Sequence, residues 1–331
     1  MSAVFFQELG LPEPDVQIPG GKASAVRQTA RIMTALEKHF LQTKPDRVIV
    51  IGDITSTLAG ALTAKQLGIK LAHVEAGLRS HDRTMPEELN RLIVDHLSDR
   101  LFATEEAAVR NLRVEGIPSE RIHQVGNVLT DALEMVLPLT FRPSRFSKPG
   151  RSILPTGPVG LFTFHRPSNV DNREGLTRII ELLRGAASRL PVIFPVHPRT
   201  RRQLNRLGLY ADLKTLKNVY VTASLRYSEM VFLMQQARLV VTDSGGVQEE
   251  TTYLGTPCLT FRQTTERPVT VNLGTNTLIA DLNPESAFEQ IDLILAGQYK
   301  TGQIPPLWDG HAAERIVGIL GYWDIDPLDI R

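Results

Sequence analysis

The sequence predicts an α/β protein with two domains, each built on a parallel sheet with helices on both faces. Three observations carry this. The 331 residues exceed one ordinary domain and suit two of about 150 each. Short β-branched runs alternate with helix-forming stretches along most of the chain, the pattern of a parallel sheet, whose crossovers are helical. A stretch rich in Pro, Ser and basic residues, without periodicity, divides the series in two. The expected boundaries are a first domain over 1–140, a linker over 141–158, a second domain over 159–308, and a C-terminal helix and tail over 309–331.

Taken in order, residues 1–21 carry turn-prone Pro and Gly and do not begin with a strand. A helix follows over about 23–41. RVIVIGD (47–53) reads as a fully buried strand, β-branched and bounded by polar residues. The next helix, TSTLAGALTAKQLG, starts on Thr55, Ser56 and Thr57, all good capping types. KLAHVEAG (70–77) is a second strand. A loop with Arg79, His81, Asp82 and Arg83 then leads to Pro86-Glu87-Glu88, a helix start with proline in the first turn. RLFATEEA gives a third strand and a helix, and RIHQVGN (121–127) a fourth strand. Beyond the linker, GLFTFHR, PVIFPVHP, NVYVTA, LVVTDSGG, PCLTFR and NTLIA supply strands with helices between them. Asp171 and Glu174 in DNREG form a D-x-x-E capping pair. The last helix spans 311–322, before the turn-rich tail WDIDPLDIR.

Composition narrows the function classes. With 42% hydrophobic and 22% charged residues and a net charge of +1, the chain is an ordinary globular protein, and no basic stripe marks a nucleic-acid partner. The one cysteine, Cys258, lies in the apolar run PCLTF, so it reads as a small buried hydrophobe rather than a nucleophile. No apolar run is long enough to span a bilayer, and no basic-then-apolar leader pattern opens the sequence. The expected compartment is the cytoplasm, without a membrane partner.

The most informative stretch is LVVTDSGGVQEE (239–250). A strand that enters a helix through Ser244-Gly245-Gly246 leaves the first amides of that helix unpaired, a ready anion site that glycine lets a phosphate approach. Glu249 and Glu250 follow in the first turn or just beyond. They either complement the helix dipole, or one carboxylate accepts hydrogen bonds from ribose hydroxyls while the amides hold a diphosphate.

Other candidates gather at strand ends, where α/β sheets bind ligands. Asp53, Glu75 and Asn127 stand at such ends. Paired carboxylates there suit acid/base chemistry at a sugar carbon, and that reading is preferred for Asp53 and Glu75. Glu88 reads instead as an acid favouring its helix N-terminus. His165 and Arg166 end the strand GLFTF and can bind phosphate or protonate a leaving group; an exposed structural histidine is the alternative. His197, in PVHPRT, has at most a supporting role. In FRQTTERP, arginine can hold phosphate bidentately, or Glu266 and Arg267 can pair locally. No metal-ligand spacing and no G-x-G-x-x-G appears.

Together GDITSTLAGAL, HVEAGLRS, MPEELNR, GNVLTDAL, FHRPSNVD, VHPRT and TDSGGVQEE with LGTPCLTFRQTTERP resemble the UDP-N-acetylglucosamine 2-epimerase family, non-hydrolysing type, in that family's order over residues 1–274. The resemblance implies a GT-B architecture, two Rossmann-like domains with the nucleotide sugar in an interdomain cleft, as a homodimer. It implies interconversion of UDP-GlcNAc and UDP-ManNAc for cell-surface polysaccharide synthesis, by elimination and re-addition of UDP through a glycal, with no metal, no nicotinamide and no other cofactor. By motif match Asp53, Glu75 and Glu87 are the carboxylates at the sugar, and His165 is the histidine near the leaving diphosphate. Ser244, Gly245 and Gly246 match the phosphate loop and Glu250 the ribose-binding acid; Arg79, His197 and Arg267 match substrate-binding positions.

Three departures stand beside this match. GDITST replaces the commoner GDTTTT, with Asp53 kept, and TERPV replaces TERPE, so Val269 has no carboxylate. The family's opening strand and GTRPE-like loop are absent, so the sequence reads as N-terminally incomplete. Loss of a central strand leaves its neighbours with unpaired backbone and uncovered apolar surface, and weak activity or none is expected of the chain as it stands. The competing readings are a hydrolysing epimerase that releases ManNAc and UDP, a GT-B glycosyltransferase, and a nucleotide-sugar binding protein without turnover.

Overall fold

Every strand expected from the β-branched runs is present in the computed structural model, which describes residues 6, 9–18, 21, 23–139, 155 and 157–323, and the backbone alone at 147–148 and 151–152. Helix α1 (Ala25–Thr43) begins on Ser24, whose side chain accepts from Arg27 N. It leads to β1 (Arg47–Ile51), α2 (Thr55–Gln66), β2 (Lys70–Ala76), α3 (Pro86–Leu97), β3 (Arg100–Ala103), α4 (Glu106–Val114), β4 (Ile122–Gln124) and α5 (Val128–Val136). Strands β1 to β4 form one parallel sheet in sequence order.

A short antiparallel pair, β5 (Ser147–Lys148) with β6 (Arg151–Ser152), lies in the expected linker, most of which is outside the described residues. The second series is β7 (Val159–Thr163), α6 (Pro167–Val170), α7 (Arg173–Ala187), β8 (Val192–Val196), α8 (Pro198–Arg206), α9 (Tyr210–Thr215), β9 (Val219–Ala223), α10 (Tyr227–Gln236) and β10 (Ala237–Thr242). It closes with α11 (Gly245–Leu254), β11 (Cys258–Thr260), α12 (Pro268–Asn272), β12 (Asn276–Leu278) and α13 (Pro284–Leu295). Its six parallel strands run in the order β12-β11-β10-β7-β8-β9. The reversal of order between β7 and β10 puts the ends of these two central strands at the topological switch point, where open α/β sheets take ligands.

Contacts divide the described chain into two units. One comprises Pro12–Asp131 together with the described residues from Pro306 on, and the other comprises Ala132–Pro305 together with the described residues up to Leu11. Helix α14 (Ala312–Gly321) therefore belongs with the first sheet. Its Ile316 joins a core with Ala72, Val74, Phe102 and Val125, its first amides donate to Asp131, and Arg47 donates to the Leu320 carbonyl near its end. The main core of the six-stranded unit packs both faces of the sheet, through Phe162, Phe164, Phe194 and Leu182 on one side and Leu161, Ile193, Val231 and Met234 on the other.

Three local expectations are corrected. Strand β1 is not fully buried: it is the edge of its sheet, with Ile49 48% and Ile51 60% exposed beside an apolar groove of about 540 Å³. The run reads as central because β-branched density reports strand propensity, whereas neighbour count is a tertiary property. Helix α2 begins at Thr55 as its threonine cluster suggests, but none of that cluster caps it. Ile54 is the N-cap without a side-chain bond, and Thr57 Oγ1 donates to the Ile51 carbonyl instead. Before α7 the cap is Asn172, accepting from Gly175 N, while Asp171 takes an ion pair with Arg199 and a hydrogen bond from Gln203.

Candidate active site

In the four-stranded unit, the ends of β1 and β2 bring two of the expected carboxylates to one place. Gly52, just past β1, has φ +69°, and a Cβ built there would lie 3.3 Å from Glu75 Oε2. Glu75 thus rests its carboxylate against the turn that carries Asp53, where the positive φ favours glycine. Glu75 is itself a non-glycine residue at φ +73°, and it is the extra residue of a bulge where the β2–β3 register shifts between Val74 and Ala76. Such bulges re-aim one side chain out of the strand alternation.

Asp53 is gripped by helix α3. Its Oδ2 accepts from Arg91 Nε at 2.9 Å and pairs with Nη2 at 2.8 Å, and Asn90 Nδ2 donates to its carbonyl at 2.7 Å. Buried Arg91 also donates to Glu88. Glu88 accepts from Ser80 N, Ser80 Oγ and His81 N at 2.9 to 3.0 Å, so it ties down the loop before α3, in keeping with a structural role. Burial opposes its ionisation, but these donors and Arg91 hold its pKa below the usual carboxylate value. Glu87, one residue earlier in the first turn, is half-buried and has no hydrogen-bond or ion-pair partner among the described residues.

Arg79 is not placed as a ligand contact. Its side chain is 1% exposed, and its donors are taken by Glu115 (2.6 and 2.7 Å), Asp95 (2.7 Å) and the Leu78 carbonyl (2.8 Å). Releasing it toward a substrate would strand the buried carboxylate of Asp95. Asn127 is also structural, since its Oδ1 accepts from Leu129 N at the start of α5.

In the six-stranded unit the remaining residues collect at the ends of β7, β8 and β10. Asp243, fully buried just after β10, accepts from His165 N (3.0 Å), Arg166 N (2.9 Å) and Asn169 Nδ2 (3.0 Å), and its Oδ1 lies 3.1 Å from His165 Nδ1. Burial disfavours its charge, yet these donors keep its pKa below the usual value. A carboxylate can only accept, so His165 donates from Nδ1, which leaves Nε2 as the nitrogen able to exchange a proton with a ligand. His197 caps α8, accepting from Arg199 N through Nδ1, and its ring centre is 5.2 Å from that of His165. Burial, and then His165, lower its pKa.

Helix α11 starts at Gly245 with Ser244 as N-cap, and no side chain bonds its first-turn amides. This is the anion-binding geometry expected of the Ser-Gly-Gly turn. Beside it, Arg262 and Arg267 both pair with Glu266, and Arg267 Nε is 2.8 Å from Glu249. A Cβ at Gly245 would come within 2.7 Å of Arg267 Nη1, so a side chain here would displace the arginine. Glu249 is therefore an ion-pair partner rather than a first-turn acid. Burial opposes ionisation of Glu266, but Arg267 and Arg262 hold its pKa far below the usual value. Glu250 is buried without such a cation, and burial pushes it up to about 7 against a hydrogen bond from Tyr227. Cys258 is the buried hydrophobe expected, its thiol raised to about 11 by burial. Among the described residues no group of three or more His, Cys, Asp or Glu is placed to hold a metal ion, and no helix is long and apolar enough to cross a membrane.

Arg91, Asp95, His73, Asp243 and Tyr227 escaped the reading of the sequence. Two carried a signal. His73 is a polar residue in mid-strand among apolar neighbours, and Arg91 stands three residues after Glu88 on one helix face.

Two parallel sheets with strand-end carboxylates on one and an open helix N-terminus on the other define an α/β protein of the nucleotide-sugar enzyme class. The family model for UDP-N-acetylglucosamine 2-epimerase matches residues 1–321, and the chain belongs to that family. It is 41% identical to the UDP-N-acetylglucosamine 2-epimerase of Methanocaldococcus jannaschii, over 97% of this chain and 88% of the relative. It is 40% identical to the UDP-2,3-diacetamido-2,3-dideoxy-D-glucuronate 2-epimerase of Pseudomonas aeruginosa, over 87% of this chain and 79% of that one. The crystal structure of the M. jannaschii epimerase in complex with UDP-GlcNAc and UDP superposes with a TM-score of 0.85 at 40% identity, covering 97% of this chain and 88% of that one. This match accords with the GT-B fold expected.

Proposed function

We propose that the chain is a UDP-GlcNAc 2-epimerase, an isomerase that interconverts UDP-GlcNAc and UDP-ManNAc, acting as a cytoplasmic homodimer. The observation that carries the reading is the approach of Glu75 to the Asp53 turn, in a chain of this family. A base removes the proton from sugar carbon 2, the electron pair forms the carbon 1–carbon 2 double bond, and UDP leaves with the bonding pair. UDP then re-adds while a proton reaches carbon 2 from the opposite face. Asp53, Glu75 and Glu87 take the sugar: one acts as base, and the others stabilise the cationic character at carbon 1. Through its Nε2, His165 neutralises or protonates the departing diphosphate, supported by His197. The Ser244 hydroxyl and the amides of Gly245 and Gly246 hold that diphosphate, Glu250 accepts from the ribose hydroxyls, and Arg267 stiffens the loop beside them. Exposed Leu89 and Ile93, one turn apart on α3, support burial of that face against a second copy.

Incubation with UDP-GlcNAc and separation of products by anion exchange tests the reading. The expected product is UDP-ManNAc. Free ManNAc with UDP would mean the hydrolysing reaction, and tight UDP binding without product would mean a binder. A parallel incubation with the diacetamido-glucuronate nucleotide decides between the two substrates of the 40% identical relatives.

A further inference from the structure

Glu75 sits in a backbone conformation that a glutamate rarely adopts, and such a residue persists only where its surroundings over-determine it. Those surroundings are buried and charged. Asp95 of α3 accepts from His73 Nδ1 at 2.6 Å through Oδ1, and from Gly77 N at 3.1 Å and Arg79 Nη2 at 2.7 Å through Oδ2. It therefore holds the residues two before and two after Glu75. The other ring nitrogen of His73, Nε2, lies 2.9 Å from the Gly52 carbonyl. A carboxylate and a carbonyl are both acceptors, so His73 must donate from both nitrogens and is an imidazolium. Its partners balance it: His73 and Arg79 carry two positive charges, and Asp95 and Glu115 two negative ones. Glu75 also faces this ring, adding to its stabilisation. With His73 and Asp95 both fully buried, neither of these two charges has water to fall back on.

We propose that His73 and Asp95 are positioning residues for the epimerisation: an imidazolium–carboxylate clamp that fixes the Glu75 bulge and, through the Gly52 carbonyl, sets it against the Asp53 turn. The inference rests on the role given to Glu75 above. One hydrogen-bonded chain, Gly77–Asp95–His73–Gly52, spans both strand ends, so a loss at its centre lets the two carboxylates move independently. Against burial, the charge and hydrogen bond of Asp95 raise the His73 pKa, in keeping with a ring that stays charged.

The test joins a spectroscopic signature to a double-mutant cycle. In the wild-type protein, nitrogen NMR of labelled histidine should show one ring protonated on both nitrogens at neutral pH and absent from His73→Gln; a neutral His73 ring overturns the clamp whether or not any variant folds. His73→Gln should lower kcat for carbon-2 exchange about 100-fold, with KM and UDP affinity nearly unchanged. In a Glu75→Gln background the same change should have less than about a 2-fold effect, because the clamp acts through Glu75. Additive losses, or an unchanged kcat, overturn the clamp alone. Full exchange by Glu75→Gln by itself would remove the role of Glu75 and the clamp with it.

Discussion

Asp53 and Arg91 show how one ion pair decides what a carboxylate can do. Two donors from Arg91 converge on Oδ2, which leaves Oδ1 as the oxygen able to meet substrate and fixes where it points. Asp53→Asn keeps the shape of the group but not its charge, and a general base or cation stabiliser of this kind contributes about 100- to 10,000-fold. The variant is expected to lose at least about 100-fold in turnover while binding UDP with unchanged affinity, measured by calorimetry beside the product assay. Retained turnover would assign the chemistry to Glu75 and Glu87 alone. Glu250 carries a second residue-scale expectation. Its carboxyl is raised to about 7 by burial, and only the ionised form accepts from both ribose hydroxyls. UDP affinity should therefore rise with pH through about 7, and Glu250→Gln should flatten that dependence.

At the scale of elements, β1 ties its sheet's exposed edge to the site. The face that carries Ile49 and Ile51 is open, whereas Val50 is buried against α2. Apolar residues at a free strand edge favour pairing with other chains. Ile51→Lys should leave thermal stability within about 0.5 kcal/mol of wild type and lower self-association in concentrated solution, read by light scattering; a large loss of stability would mean that this face is covered. The elements themselves were legible in the sequence because β-branched runs and capping prolines act locally. The site was legible in part for the same reason. Asp53, Glu75 and Ser244-Gly245-Gly246 stand at strand ends that periodicity locates, and glycines mark their turns. The partners of these groups were not legible. Arg91, Asp95 and Asp243 meet their neighbours only once α3 packs on β2, or β10 on β7, and a charged residue on a helix reads as solvated until its burial is known. Arg79, expected by motif match among the substrate-binding residues, has partners of this kind at Asp95 and Glu115.

For the molecule as a whole, the buried charges set how stability follows pH. Glu88, Asp95, Asp243 and Glu266 all have lowered pKa values. Their stabilisation is present above the unfolded carboxylate range near about 4 and is lost as pH falls through the lower folded values. Glu250 has the opposite sign. Its folded value of about 7 lies above the ordinary value of 4.5, so its contribution is full below 4.5 and is lost as pH rises through 7. The melting temperature should climb steeply out of the acid range, and the opposing loss that Glu250 adds as pH rises to about 7 should vanish in Glu250→Gln. The central claim is that the chain carries out epimerisation at carbon 2, and exchange in deuterium oxide tests it most directly. Incubated there with UDP-GlcNAc and followed by proton NMR, the protein is predicted to place deuterium at sugar carbon 2 as UDP-ManNAc appears. A protein that binds UDP yet leaves the carbon-2 proton in place would contradict the account.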